Sequence, residues 1–213
     1  MQREFQPPDT EIIETRVVVT TSATAEPVTN AEMRTHLRVT TTGDDTYIGT
    51  LITAARQTVE SITNRAIMPQ TRRMYLDQWP DDEGYLNIPY PPLRSVASTG
   101  FVYKNSTGGS ATFSSTAWET DTASEPGRLW LKNGESWPSV NLYAVNPIQI
   151  TFSCGYTTSS KVPAAIKHAI KLLAADMYEH REPTVIGQTV QQIPKVVDRL
   201  LAPYRVFSFG GGL

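Results

Sequence analysis

Three histidines, one cysteine and one acidic run are the residues of this chain best equipped for chemistry. His36, His168 and His180 stand far apart, and none has a partner at the spacing of a metal motif such as H-E-x-x-H. They read as solvated helix residues. Cys154 closes an alternating apolar stretch and precedes Gly155. A thiolate nucleophile there needs a base such as histidine nearby in space, and no family signature surrounds it. It reads as a small buried apolar residue. Asp81-Asp82-Glu83 offers carboxylates for a cation or an acid–base pair, but it lacks the alternating oxygen ligands of a calcium loop and reads as a solvated turn. Neither G-x-x-x-x-G-K-[ST], G-x-G-x-x-G nor G-x-S-x-G occurs. Gly210-Gly211-Gly212 opens no helix and cradles no phosphate. The residues assign no catalytic group, no metal ligand and no cofactor site.

Trp79, Trp118, Trp130 and Trp137 fall in one central region. Core packing is their first reading and interface anchoring the second, since tryptophan is enriched at hot spots. Base stacking ranks third, because no Lys/Arg interleaving accompanies them.

These residues sit in a chain of 213, with 19 basic and 21 acidic side chains and a formal net charge of −2. That balance argues against binding nucleic acid through a strong basic footprint. One cysteine excludes an intrachain disulfide and a multi-cysteine metal cage. No apolar run approaches the ~20 residues of a membrane span, and MQREFQPPDTEIIE lacks a basic-then-apolar signal design. The expectation is a soluble protein kept in a reducing cytoplasm, with no membrane partner.

The elements that position these groups follow from caps and periodicity. Residues 1–25 begin with a polar, Pro-containing lead; Ile12-Ile13 and Val17-Val18-Val19 then read equally as an arm or an edge strand. Thr29 with Glu32 has capping-box spacing, and Val28 with Met33 has that of a hydrophobic staple, so a short helix runs to about Arg38. A second helix starts at Asp44 or Asp45 and ends near Asn64. Its apolar stripe is Ile48, Leu51, Ile52, Ala55, Val59 and Ile62, with Thr50, Thr53, Arg56, Gln57 and Glu60 largely on the other side. Residues 68–157 are turn-rich and aromatic. Short alternating runs predict strands at Thr71–Asp77, Leu86–Tyr90, Val96–Tyr103, around Trp118, at Arg128–Leu131 and at Ile148–Phe152. A third helix places Pro163 at its first position and runs to about Arg181, with Ile166, Ala169, Ile170, Leu173, Ala174, Met177 and Tyr178 apolar. A fourth spans about Pro194 to Leu201. The fold class is α+β: a small helical bundle, two helices N-terminal and two C-terminal, with an inserted antiparallel β-rich region. The domain reading is an arm at 1–25, a helical domain of 26–67 and 158–203, a β subdomain at 68–157 and a tail at 204–213.

Six segments carry a resemblance. EPVTNAEMRTHLRV (26–39), DDTYIGTLITAAR (44–56), PPLRSV (91–96), Gly155-Tyr156 with VPAAIKHAI (162–170), Tyr178-Glu179 with Arg181-Glu182, and LLAPYR (200–205) resemble, in order and spacing, tailed-phage head–tail connector proteins of the gp6-like family. The family is also described as adaptor or head-completion proteins. The resemblance spans residues 26–206 and needs no catalytic residue. It implies a structural virion subunit of the neck, assembled in the bacterial host cytoplasm. Its copies form a ring, usually of twelve, beneath the portal. The ring extends the channel for double-stranded DNA, which passes without sequence-specific binding, and receives a stopper or tail-completion protein. The same parts occur in gene-transfer agents. The candidate portal-docking residues are Tyr204, Arg205, Val206, Phe207 and Phe209, aromatics on a chain end with no helix of their own. The competing reading for Tyr204 and Val206 is that they pack back on the last helix. Two other functions are weighed against the connector: a nucleic-acid-binding packaging factor, and a virion-associated hydrolase using Cys154 or Asp82.

Overall fold

A computed structural model describes residues 16–80, 84–180 and 195–206. The Asp81–Glu83 turn, Ile12-Ile13, residues 181–194 and the tail from Phe207 lie outside the described residues. In chain order the elements are β1 (Arg16–Thr21), α1 (Asn30–Leu37), α2 (Asp45–Thr63), β2 (Gln70–Leu76), β3 (Tyr85–Ile88), β4 (Leu93–Lys104), β5 (Ser110–Thr112), β6 (Trp118–Asp121), β7 (Gly127–Leu131), β8 (Ile148–Cys154), α3 (Ala164–Glu179) and α4 (Lys195–Leu201). The class is mixed α+β, with antiparallel sheets.

The helices begin where their caps say. The Thr29 hydroxyl accepts the Glu32 N–H at 3.1 Å, while the Glu32 carboxylate accepts the Thr29 N–H at 2.8 Å. These two reciprocal bonds satisfy donors that a helix start leaves open. Val28 and Met33 are both buried beside them, as a staple requires. Asp44 takes the cap position of α2 but makes no cap bond with its side chain. Its carboxylate instead accepts the Tyr178 hydroxyl of α3 at 2.5 Å. Pro163 stands one residue before α3 rather than at its first position, since its ψ of 139° is extended and the helix opens at Ala164. Helices α2 and α3 pack along their apolar stripes. With α1 and α4 they enclose one core that includes Ile48, Ile52, Val59, Ile166, Ile170, Leu173 and Leu201.

The antiparallel β-rich region holds two sheets. The larger has the order β1-β2-β8-β4-β5, and the smaller β3-β7-β6. β2 and β8 pair without a break from Gln70↔Cys154 to Leu76↔Ile148, and their inward residues alternate strictly, which fixes the register. The Val17–Val19 run is a strand of this protein's own sheet, with Val17 opposite Met74. β5 has three exposed residues and no apolar alternation to announce it. Tyr90 does not continue β3. At φ +61° it leaves the strand and receives the Arg72 guanidinium over its ring at 3.7 Å. A second core fills this region around Phe101, Phe152, Ile150 and Leu129.

Two polar side chains on the side of α2 away from its apolar stripe are buried as well. They are Arg56 and Glu60. The lead into α1 brings Glu26 against Arg56 at 2.7 Å, and Arg56 reaches Glu60 at 3.1 Å. Glu60 also accepts the Ile67 N–H and the Gln70 amide, both at 2.8 Å. The polar face of α2 is therefore roofed by its own flanking chain, and every charge placed there is paired.

Candidate functional site

The expected docking segment starts on the end of α2. The last turn of a helix leaves carbonyls without partners. Here Asn64 turns left-handed at φ +51°, and the Val206 N–H donates to the Thr63 carbonyl at 2.9 Å. The Asn64 amide donates to the Val206 carbonyl at 3.1 Å, and Arg65 Nε to the Tyr204 carbonyl at 2.5 Å. Pro203 lies in the short 3-10 turn Ala202–Tyr204 that redirects the chain after α4. Arg205 pairs with Asp198 of α4 at 2.6 Å. Tyr204, Arg205 and Val206 are thus half-buried and folded back as the C-terminal cap of α2. Phe207 and Phe209 lie outside the described residues.

Arg65 joins three parts of the molecule. It holds the Tyr204 carbonyl, pairs with Glu125 of the β6–β7 loop at 2.5 Å, and lies beside the Tyr156 phenol. Burial acts to discharge Arg65, but Glu125 together with Tyr156 outweighs it and the guanidinium is held more firmly charged than usual. Burial also raises Tyr156 above the ordinary phenol range, against the pull of Arg65.

The candidate nucleophile is sealed. Cys154 is fully buried, with its Sγ 3.8 Å from the Gln70 carbonyl. Burial pushes its thiol up to about 12, although Arg72 acts the other way. A thiol so placed is not a thiolate near neutrality. The histidines are exposed helix residues, but two of them meet: the rings of His36 and His168 lie edge to face at 6.2 Å across α1 and α3. His180 contacts Asp176, one turn away. Among the described residues no group of three or more His, Cys, Asp or Glu could hold a metal ion, and no helix is long and apolar enough to cross a membrane.

The tryptophans divide by face. Trp79 and Trp137 stack at 5.6 Å over Phe101 and Phe113, and Trp118 is buried beside them. Trp130 points outward from the smaller sheet. It stacks on Tyr85 at 4.5 Å, with Arg128 over its ring at 5.1 Å and Arg128 held by Asp121 at 2.7 Å. Val140, Tyr143 and Val145 of the loop before β8 are also exposed. Aromatic, arginine and apolar groups of this kind are interface chemistry rather than reaction chemistry. The alternation of Arg128 and Trp130 was a usable signal for a shared face. The Arg65 tie had none, because its partners lie 60 and 139 residues away.

The fold matches a chain from the neck of an empty gene transfer agent (GTA) particle computed with C6 symmetry. The TM-score is 0.71 at 24% identity, over 92% of this chain and 98% of that one. A chain from the virion of a native GTA particle matches at TM-score 0.70 and 22% identity, with the same coverage. A chain from the neck of a native GTA particle computed with C12 symmetry matches at 0.68 and 25%, again with the same coverage. No curated protein matches the sequence. Residues 29–90, which hold α1, α2, β2 and β3, match the model of the phage gp6-like head-tail connector protein family.

Proposed function

We propose that this protein is a structural subunit of a virion neck, joining a phage-like capsid to its tail. The observation that carries the reading is the likeness, over nearly the whole length of both chains, to neck chains of gene transfer agent particles. In this reading twelve copies close head to tail into a ring beneath the portal, and the ring lengthens the channel through which double-stranded DNA passes. The helical unit, residues 26–67 and 158–203, builds the wall; residues 68–157 form an inserted β unit; a stopper or tail-completion protein seats on the far side. Copies with a formal charge of −2 give DNA little to adhere to. The Tyr204–Leu213 tail docks on the portal. Its first three residues cap α2, so the segment beyond Val206 starts from a fixed point.

The test is mass by light scattering, with and without a cognate portal, followed by particle imaging. The expected species is about 280 kDa, twelve copies of a 23.6 kDa chain, or a portal-bound ring with twelvefold views. A monomer indifferent to the portal that shifts DNA in a salt-dependent way overturns the reading in favour of a nucleic-acid-binding factor. Removing 207–213 is expected to abolish portal binding and leave the helical circular dichroism unchanged. Removing 204–206 as well strips the α2 cap and lowers stability besides.

A further inference from the structure

A shallow groove of about 530 Å³ lies at one end of the larger sheet. Its walls are the start of β4, the end of β8, Tyr156, Thr122 of the β6–β7 loop and the 3-10 turn that carries Lys161. Arg94 and Lys161 are its charged lining residues; both are exposed, and neither has an ion pair among the described residues. Ser95 and Ser153 add hydroxyls, and no lining residue is acidic. The shape is preset at Gly155. There φ is +99°, and a Cβ would fall 2.2 Å from the Met68 carbonyl oxygen. The groove is therefore an open trough with two exposed cations and no acidic lining residue, suited to an extended acidic segment.

The chain itself carries such a segment. Residues 1–15 contain Glu4, Asp9, Glu11 and Glu14 against a single base, Arg3. In an extended chain residues two apart share a face, so Asp9 and Glu11 would present two carboxylates on one side. The segment joins the body at Arg16 of β1, which is one edge of the sheet, whereas β4 lies three strands away. Arg16 also pairs with Tyr75, towards one end of β2, while Gln70 at the other end pairs with Cys154 beside the groove. Segment and groove thus occupy diagonal corners of one sheet. A head-to-tail contact needs two different, complementary patches on each subunit, and these corners supply a pair.

We propose that residues 1–15 of one copy lie in the Arg94–Lys161 groove of the next, with Asp9 and Glu11 paired to those cations. This rests on the ring reading above. The pairing adds a strap between neighbours that is separate from the packing of their bodies, and its charges set which segment is accepted.

The test uses two full-length variants, Ile13→Cys, on the same face of the extended segment as Asp9 and Glu11, and Ser95→Cys, mixed under mild oxidation; Cys154 is buried and stays out of the exchange. The expected product is a covalent dimer with one chain of each kind, and a ladder of multimers when both substitutions are on one chain. In that doubly substituted chain, adding Arg94→Glu/Lys161→Glu or Asp9→Lys/Glu11→Lys is expected to lower the yield of multimers about tenfold, and all four reversals together to restore it. Crosslinking confined within single chains means the segment fills its own groove and overturns the proposal. Absence of crosslinks overturns it whatever the mass, and a ring-sized wild-type particle then leaves the ring reading standing. Interchain crosslinks from a wild type that never exceeds a dimer support the pairing and sink ring closure instead. DNA retained by the wild type and released by Arg94→Glu/Lys161→Glu makes the groove a phosphate site and overturns the proposal.

Discussion

The helical and β halves of this protein hold themselves together differently. In the helical half an apolar core of aliphatic side chains runs beside a buried charged chain, Glu26–Arg56–Glu60, that ends on the Ile67 backbone and Gln70. In the β half the centre is aromatic: Phe101 touches Phe113, Trp79, Trp118 and Trp137 within 6.4 Å. The first depends on complete pairing, since a buried charge that loses its partner is costly. The second depends on shape and area, which tolerate conservative change and punish voids.

The sharpest break should come at Arg56. Arg56→Leu leaves Glu26 and Glu60 facing each other unneutralised, and is expected to cost about 3–5 kcal/mol, read as a lower urea midpoint of the helical circular dichroism. A loss below about 1 kcal/mol would show that water, not pairing, supports this chain. Phe101→Ala, at a fully buried site, should cost about 3–5 kcal/mol in the β half. All four tryptophans lie in that half, so fluorescence reports it alone. The fluorescence midpoint should fall well below the helical one; equal shifts by both probes would make the halves a single cooperative unit. Arg65→Met tests the tie between them. Losing its charged hydrogen bonds is expected to cost about 1.5–3 kcal/mol and to raise hydrogen exchange at Val206, whose N–H it indirectly holds on Thr63.

The smallest effect should be one of pH. Burial, then the neighbouring His168 and Lys171, lowers the His36 pKa below its ordinary 6.5. The unfolded chain therefore takes up a proton that the folded one resists. The contribution of His36 to stability is complete above pH 6.5 and declines as pH falls below it. His36→Gln should flatten the pH dependence of the urea midpoint between pH 7 and 5. An unchanged slope there would place the titrating group elsewhere.

Much of this was legible in residues 26–63. A capping box, a staple, an aspartate start and a three–four apolar stripe are local devices, and α1 and α2 begin and end within a residue or so of where they point. β2 and β8 were equally legible, because strict alternation of buried residues marks a strand with one covered face. β5 was not, because three exposed residues carry no pattern. Arg56 and Glu60 were placed on the side away from the apolar stripe, but their burial was not legible, because periodicity measures only a helix's own sides and not the chain that later covers them.

Caps, periodicity, a lone cysteine and a near-neutral charge were thus settled by the amino-acid order alone, since each depends on neighbours within a few residues or on simple counts. Only the tertiary structure decided that Glu26 neutralises Arg56, that Val206 caps Thr63 and that Arg94 and Lys161 share one groove. Those partners are separated by 30, 143 and 67 positions, and no local preference specifies which distant group the folded chain will bring to hand.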